Sequence, residues 1–483
     1  MVGINITTEA NGGQAEALLD ASSQAFFTGL TERGDIDAPI RVRGIADVEL
    51  LTGARVSYGV LYDQLATFFS EGGVQAYISR VVGPGATAGT LTLQDRAGTP
   101  ANTLKVDAAN PGAWSSTLKV EVREGSRVNT FRIIVSLGDD VVHDFNNISS
   151  PAEAAIKFAN SAYVKVTNLG AATAAPNNNP KVLAATALSA GTDDRANVDD
   201  DDYIAALNRA SIDLGDGAVA IPGRNSSAIF EAIDAHCKAN RRIGILAGDL
   251  DDDIAALVSL ASSIDSDALG MFGPWLNVSN DFGGVRAISP EGYVMAVRAR
   301  AHIQDGPWRA PAGAIAKSEF IQGAVTKYTT ADIDDLEAGK VNAIRQIGSS
   351  VRLYGWKSLT DDTENWEYLK DRDLINYLVV KSEATLEDYV FAPIDGKGHT
   401  LSAIRQALVG ILEPIRLEGG LYENVNELGE QVDPGYSVKC DKTNNTALTL
   451  SQNKISADMK VRVSPVGGLI NLTITKVGIL SGV

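Results

Sequence analysis

Between residues 200 and 305 the chain alternates helical periods with short, wholly apolar runs, and few architectures can accommodate that alternation. Tyr203, Ala206, Leu207 and Ala210 fall on one helical face, and Ala218–Ile221 follows as a strand. Ile229, Ile233 and His236 share the next helical face, Ile243–Ala247 forms the next strand, and Ile254, Leu257, Val258 and Ala261 make another helical stripe. A strand that is apolar on both faces must be covered on both, which predicts a parallel or mixed sheet between helices. The expected fold class is α/β (α+β mixed, multidomain).

At 483 residues the chain exceeds one compact core, and roughly 150 residues per domain suggests about three domains. Upstream, residues 58–69 read as a helix with Leu61, Leu65 and Phe68 on one face. Glu71-Gly72-Gly73 ends it, and Ala76–Val82 reads as a buried strand. From Gly83 to about Gly191 the character changes. Short β-rich runs (Thr90–Leu93, Leu118–Val122, Thr130–Leu137, Val164–Thr167) are separated by Gly, Pro and Asn clusters, with one helix expected at Pro151–Tyr163. That pattern predicts an inserted β-rich domain. After Ala331 comes a mixed segment whose longest helix is placed at Thr400–Glu418. Its apolar residues Leu401, Ile404, Leu408, Ile411, Leu412 and Ile415 keep the helical period, and Gly419-Gly420 stops it. Strands return at Tyr436–Cys440, Met459–Val463 and Leu469–Thr475.

Both ends carry a strand-like segment set off by glycines. Ile4 and Ile6 alternate with Asn5 and Thr7 before Gly12-Gly13; Ile470, Leu472 and Ile474 alternate with Asn471, Thr473 and Thr475 after Gly467-Gly468. A strand isolated by a flexible break can pair elsewhere, or it can simply fray.

Composition narrows the function. Apolar residues at 45% and charged residues at 21% are ordinary globular values. The 42 basic against 60 acidic residues give a net charge of −18, which argues against a nucleic-acid partner. Only Cys237 and Cys440 occur, so at most one bridge could form and a reducing cytoplasm is expected. The start has neither the basic residues nor the apolar run of a signal peptide. No stretch reaches the roughly 18 apolar residues of a membrane span, so no direct membrane insertion is expected.

Catalytic patterns are sparse. A Ser-His-Asp or Cys-His site would need His143, His236, His302 or His399. His236 and Cys237 are adjacent, but helix neighbours diverge by about 100°, and both read as packed helix residues. HExxH, paired CxxC, Walker and dinucleotide-glycine patterns do not occur. The acidic runs at Asp199–Asp202 and Asp249–Asp253 precede predicted helices, where carboxylates cap free N–H groups; neither has EF-hand spacing. No catalytic residue, metal site or cofactor is expected.

Several blocks together resemble the contractile tail sheath family of myophages and related injection systems. Phe68-Phe69-Ser-Glu-Gly72-Gly73-Val-Gln-Ala76-Tyr77-Ile78-Ser-Arg80-Val81 looks like the family's helix, glycine pair and strand. Ala109-Asn-Pro111-Gly112-Ala-Trp114 resembles its Pro-Gly-x-Trp motif, although Ser115-Ser116 departs from the usual Gly-Asn. Ile288-Ser-Pro290-Glu-Gly292 through Ala299-Arg300, then Gly306-Pro-Trp308-Arg-Ala310-Pro311-Ala312-Gly313, is the strongest match; His302 stands where an Asp is usual and Gly313 where an Asn is. Gly273-Pro274-Trp275, Gly339-Lys-Val341-Asn342-Ala-Ile344-Arg345, Val351-Arg352-Leu-Tyr354-Gly355 and Phe391-Ala-Pro393 follow the family's order, with Trp356-Lys357 departing from it. The blocks run from about residue 60 to 425; their order is more specific than any one of them.

The resemblance implies a structural subunit, not an enzyme: hexameric rings stacked helically around a tail tube, contracting without nucleotide to drive the tube through a host envelope for genome delivery. It implies a subtilisin-like α/β core with an outer β-rich insertion and a C-terminal α+β domain. The division read here is 1–20 arm, 21–83 core, 84–195 insertion, 196–330 α/β sheath domain, 331–466 C-terminal domain and 467–483 arm. Partners would be further copies of the chain, the tail tube protein, and baseplate and tail terminator proteins, in a virion tail assembled in the host cytoplasm. In the family the arms exchange strands between subunits. Ile4, Asn5, Ile6, Thr7 and Ile470, Asn471, Leu472, Thr473, Ile474, Thr475 are the candidate exchanged strands, with Gly12, Gly13, Gly467 and Gly468 as hinges. Arg405, Arg416 and Glu418 are candidate tube contacts, or equally a solvated helix face. The alternatives are the sheath of a bacterial contractile injection system, a surface-layer protein, and an α/β hydrolase. A serine-reactive covalent probe separates the last from the rest: the sheath reading expects no labelling, and stoichiometric labelling at one serine would favour a hydrolase.

Overall fold

The computed structural model describes residues 21–279 and 284–468. They form a mixed α/β fold of several sheets in two compact units, one from residues 21–224 with 291–304, the other from 225–279, 284–290 and 305–468.

The first unit is built on Ala25–Gly29, whose five residues are all buried. Its neighbours Ala76–Arg80 and Gly217–Ala220 run parallel to it, and Ile40–Val42 pairs antiparallel with the outer side of Ala76–Arg80. The helix Leu61–Ser70 turns Leu61, Leu65 and Phe68 inward, and the Phe68 ring meets Phe27 edge-on with centroids 5.7 Å apart. Its end explains the glycine pair. Gly72 takes φ of 100°, and a Cβ on Gly73 would lie 2.3 Å from the Phe68 ring. The helix Glu291–Gln304 is buried along most of its length and packs on Leu61–Ser70, where the Gly292 N–H donates to Gln64 Oε1 at 2.7 Å. Arg298 from the same helix donates to the Ser22 carbonyl at 2.5 Å and so pins the start of the described chain.

The β-rich insertion has its own core. Asn102–Ala108 lies between Thr90–Gln94 and Val164–Asn168 in one antiparallel sheet. The other runs Leu183–Ala187, Leu118–Glu124, Phe131–Leu137, Asp140–Ile148. Leu104, Val106, Trp114, Val120, Phe131, Ile133 and Phe158 fill the space between them. Arg80, itself buried, ties this domain to its parent sheet by donating to the carbonyls of Gly34 (3.0 Å) and Pro111 (2.8 Å). Burial pulls that guanidinium down to about 10. The expected helix at Pro151–Tyr163 stops at Lys157 instead. Phe158 buries its ring among Phe145 and His143, and the chain turns there so that Val164 can enter its strand.

In the second unit Arg242–Ala247, Leu269–Gly273 and Val341–Ile347 are parallel neighbours, and Ser350–Leu353 hairpins back on the last. The acidic runs act as caps. Asp253 Oδ1 accepts from Ala256 N–H at 2.8 Å, and in the first unit Asp199 and Asp202 form a reciprocal capping box. The helix Leu369–Leu386 went unread in the sequence because its packed face carries Lys370, Asp373 and Asn376 beside Leu374 and Leu378. Among the described residues no helix is long and apolar enough to cross a membrane.

Replacing Gly73 by Ala should push the Phe68 ring off Phe27 and cost about 1–3 kcal/mol. A lowered thermal midpoint checks this; an unchanged midpoint would mean the ring relocates freely.

Candidate inter-subunit docking site

The C-terminal part of the second unit rests on two helices, Leu369–Leu386 and His399–Leu417. The second begins where the Asp395 carboxylate accepts the N–H groups of Lys397, Gly398, His399 and Thr400, which together hold that carboxyl well below the usual range. Leu401, Ile404, Leu408, Leu412 and Ile415 then face inward as the period requires. Trp308 seals the far end: a Cβ on Gly420 would lie 2.7 Å from its ring. This gives the Gly-Pro-Trp block and the glycines after the helix a common packing reason.

On these helices lies a sheet that, among the described residues, has two strands, Tyr436–Lys439 and Asp458–Val461, paired antiparallel with Tyr436 opposite Val461 and Val438 opposite Met459. Tyr436–Lys439 sits over His399–Leu417. Beside Asp458–Val461 is an apolar groove of about 350 Å3, walled by Ala457, Met459 and Val461 and by Ile375, Leu378 and Val379 of the first helix. A two-stranded sheet is marginal by itself, and an open edge over an apolar wall is a template for a third strand.

The sequence-expected residues fall as follows. Ile4, Asn5, Ile6, Thr7, Gly12, Gly13 and Ile470–Thr475 lie outside the described residues. Gly467 and Gly468 are described: Gly468 N–H bonds to the Val466 carbonyl, and a Cβ on Gly467 would meet nothing within 4 Å. The chain before them is held. Ser464 N–H donates to the Gly420 carbonyl, and the buried Lys370 ammonium donates to the Ser464 carbonyl at 2.8 Å. Arg416 is engaged by two carboxylates, Glu413 at 2.6 Å and Glu423 at 2.7 Å. Hydrogen bonds from Arg416 and from the Tyr436 hydroxyl hold the Glu413 carboxyl down to about 2. Arg405 Nε donates to the Val438 carbonyl at 3.3 Å, and Glu418 is exposed at the helix end.

The histidines have structural neighbours. His236 is buried with Nε2 2.9 Å from Arg242. Cys237 beside it is buried too. His302 Nδ1 faces Ser22 Oγ at 3.3 Å. Sequence reasoning missed one pair: His143 Nε2 lies 2.7 Å from Ser161 Oγ. That hydroxyl also accepts the N–H groups of Tyr163 and Val164, so it holds the turn after Phe158. No sequence spacing signals this pair, because it joins a strand residue to the turn before Val164–Asn168.

No family model matches the sequence and no curated protein matches it. Solved structures do. A sheath tail protein from Listeria innocua superposes with a TM-score of 0.60 at 14% identity, over 87% of this chain and 89% of that one. The contracted sheath complex of an extracellular contractile injection system gives 0.57 at 14% identity, over 99% and 98%. The contracted helical sheath of the anti-feeding prophage gives 0.56 at 15% identity, over 98% of both. What these proteins share with the chain is a mixed α/β fold running nearly end to end. It is the fold of contractile sheath proteins.

Burial, and next the Arg242 charge, pull His236 from its ordinary 6.5 to about 4. Between those values the unfolded chain binds a proton the folded chain refuses, so stability is full above pH 6.5 and falls as pH drops towards 4. The loss is up to about 3 kcal/mol. His236→Gln, which keeps an acceptor for Arg242, should flatten the urea-unfolding free energy across that pH window; an unchanged slope would assign the acid sensitivity elsewhere.

Proposed function

We propose that the chain is the repeating structural subunit of a contractile sheath, stacked in hexameric rings around a tube and contracting to drive that tube through an envelope. The observation that carries this reading is the sheet that among the described residues has two strands, with an apolar groove beside Asp458–Val461, in a chain whose two ends have strand-like alternation. Strand addition supplies main-chain hydrogen bonds between copies while leaving the linkers free to bend. In this reading Ile4–Thr7 and Ile470–Thr475 join the Tyr436–Lys439 and Asp458–Val461 sheet of neighbouring copies. The lone neutral contact set of Arg405, and Arg416 with its carboxylates, leaves Glu418 as the freest of the three for a tube contact.

The subunit works without catalysis or a cofactor. Its partners are its own copies, a tube protein, and the baseplate and terminator proteins that close such a tail; assembly takes place in the host cytoplasm. The insertion at 84–195, with its separate core, is the outer domain in this arrangement. Two of the sheaths it resembles come from an injection system and an anti-feeding prophage, which keeps a bacterial injection machine as the second reading beside a phage tail.

Negative-stain microscopy of the purified chain should show hollow ribbed tubes. Chains lacking residues 1–13 or 469–483 should stay folded and monomeric by circular dichroism and sedimentation; normal tubes from both deletions would sink the strand-exchange reading.

A further inference from the structure

The carboxyl ends of two neighbouring strands in the first unit border a hollow for which sheath assembly has no use. Ala25–Gly29 has Ala76–Arg80, the parallel strand the chain forms next, on one side and Gly217–Ala220 on the other. The strand order therefore reverses at Ala25–Gly29, and open α/β sheets hold ligands beyond the carboxyl ends at such a reversal. Here that place is a cavity of about 340 Å3. Leu30 lines it from the end of one strand, Arg224 from the end of the other, Ser57 and Leu61 from the approach and start of a helix, and Tyr203 from a second helix. The local sequence shapes it. Pro222 and Gly223 make the turn that closes with Arg224 N–H on the Ile221 carbonyl, Gly223 taking φ of 76°. Gly59 lets the chain pass close over the strand end, since a Cβ there would lie 3.0 Å from the Leu30 carbonyl oxygen.

The donors around this cavity are short of acceptors. Tyr203 is 5% exposed, and among the described residues its hydroxyl has no hydrogen-bond partner. Leu61 is 1% exposed, yet its N–H finds no acceptor among them, and Val60 before it gives the helix no side-chain cap. The Arg224 guanidinium lies 4.4 Å from the centre of the Tyr203 ring, and its ion-pair partner Asp200 stands 3.6 Å away, beyond hydrogen-bond reach. A buried hydroxyl, a buried N–H and a guanidinium around one cavity call for an acceptor-rich anion.

We propose that this cavity binds a small organic phosphate of sugar-phosphate size. Its phosphate is held by Arg224 and the start of the helix Leu61–Ser70, and its hydroxylated part lies against Tyr203 and Ser57. An oxyanion suits both the guanidinium fork and the positive end of a helix, and 340 Å3 is more than a bare phosphate fills. Asp200 is the competitor, because binding takes Arg224 from it. The guest is not consumed; it stabilises the folded chain by mass action. The site lies within one unit of one chain, so it stands or falls apart from the sheath reading.

Calorimetric titration of the full chain with ribose 5-phosphate, ribose and inorganic phosphate tests this. Ribose 5-phosphate should bind, inorganic phosphate should bind about tenfold more weakly, and ribose should give no heat. Arg224→Gln, checked for folding by circular dichroism, should weaken ribose 5-phosphate by about 10- to 100-fold, the scale of lost charged hydrogen bonds. Asp200→Asn should tighten it, which a merely structural role for Arg224 would not produce. No binding of ribose 5-phosphate, equal binding of ribose, or an Arg224→Gln chain that binds like the parent overturns the proposal. Inorganic phosphate binding as tightly as ribose 5-phosphate overturns the stated ligand class. If Arg224→Gln fails to fold, Asp200→Asn decides alone: unchanged or weaker binding there overturns the assignment of the phosphate to Arg224. Tubes, or their absence, in the same preparations bear on the sheath reading only.

Discussion

A β-strand edge has obligatory hydrogen-bonding partners to find, and this chain leaves one such edge beside an apolar wall. Among the described residues Asp458–Val461 pairs with Tyr436–Lys439 alone, and the Met459 and Val461 side chains line a groove against the Leu369–Leu386 helix. Natural proteins usually blunt an edge with charge, proline or a bulge. Here Asp458 and Lys460 alternate with the residues that wall the groove, so the inner row of Met459 and Val461 stays apolar. The edge therefore offers main-chain groups and a side-chain seat together, which is what strand addition needs for both affinity and register. Much of the surrounding structure makes that seat stiff. Asp395 fixes the start of one supporting helix, Arg416 and Tyr436 converge on Glu413 at its other end, and Trp308 closes against Gly420.

How much of this the sequence disclosed varies with the physics of each element. The His399–Leu417 helix was readable because its apolar residues keep one period and a glycine pair follows. The buried strand Arg242–Ala247 was readable from its apolar run Ile243–Ala247, and Ala76–Arg80 from a largely apolar run following the Gly72-Gly73 break. Leu369–Leu386 was not, since buried Lys370, Asp373 and Asn376 interrupt its stripe, and Lys370 is tolerated there by bonding the neighbouring Asp371 carboxylate and the distant Ser464 carbonyl. Asn102–Ala108 and Asp140–Ile148 escaped for a related reason: their outward faces are polar and the core they serve is assembled from distant segments. The blocks that carry the family resemblance acquire individual causes in three dimensions. Asn342 is buried with its amide bonded to the carbonyls of Met271 and Lys357 and its oxygen taken by Lys357 N–H, a splice between strands that no spacing rule foretells. The docking groove was the least legible feature. Its walls come from a helix and a strand some 80 residues apart in the chain, and only their packing makes an apolar row into a channel.

Where the chain is held also limits how an exchanged assembly could move. Ser464 is fixed through Lys370 and Gly420, so the C-terminal tether is free only beyond it, and the expected hinge at Gly467-Gly468 lies three to four residues past the clamp. Six residue steps lead from Ser464 to Ile470, which extended cover about 20 Å. Under the strand-exchange proposal, a neighbour receiving that tail must keep its acceptor sheet within this reach in every state of the assembly. Rings could slide or widen inside that radius without unpairing, because the bending falls on the tether and not on the seat. Beyond it the strand must leave. The clamp at Ser464 thus sets the scale of motion: moving it a few residues towards the tail would shorten the leash by about 3.3 Å for each residue, and the permitted rearrangement of subunits with it.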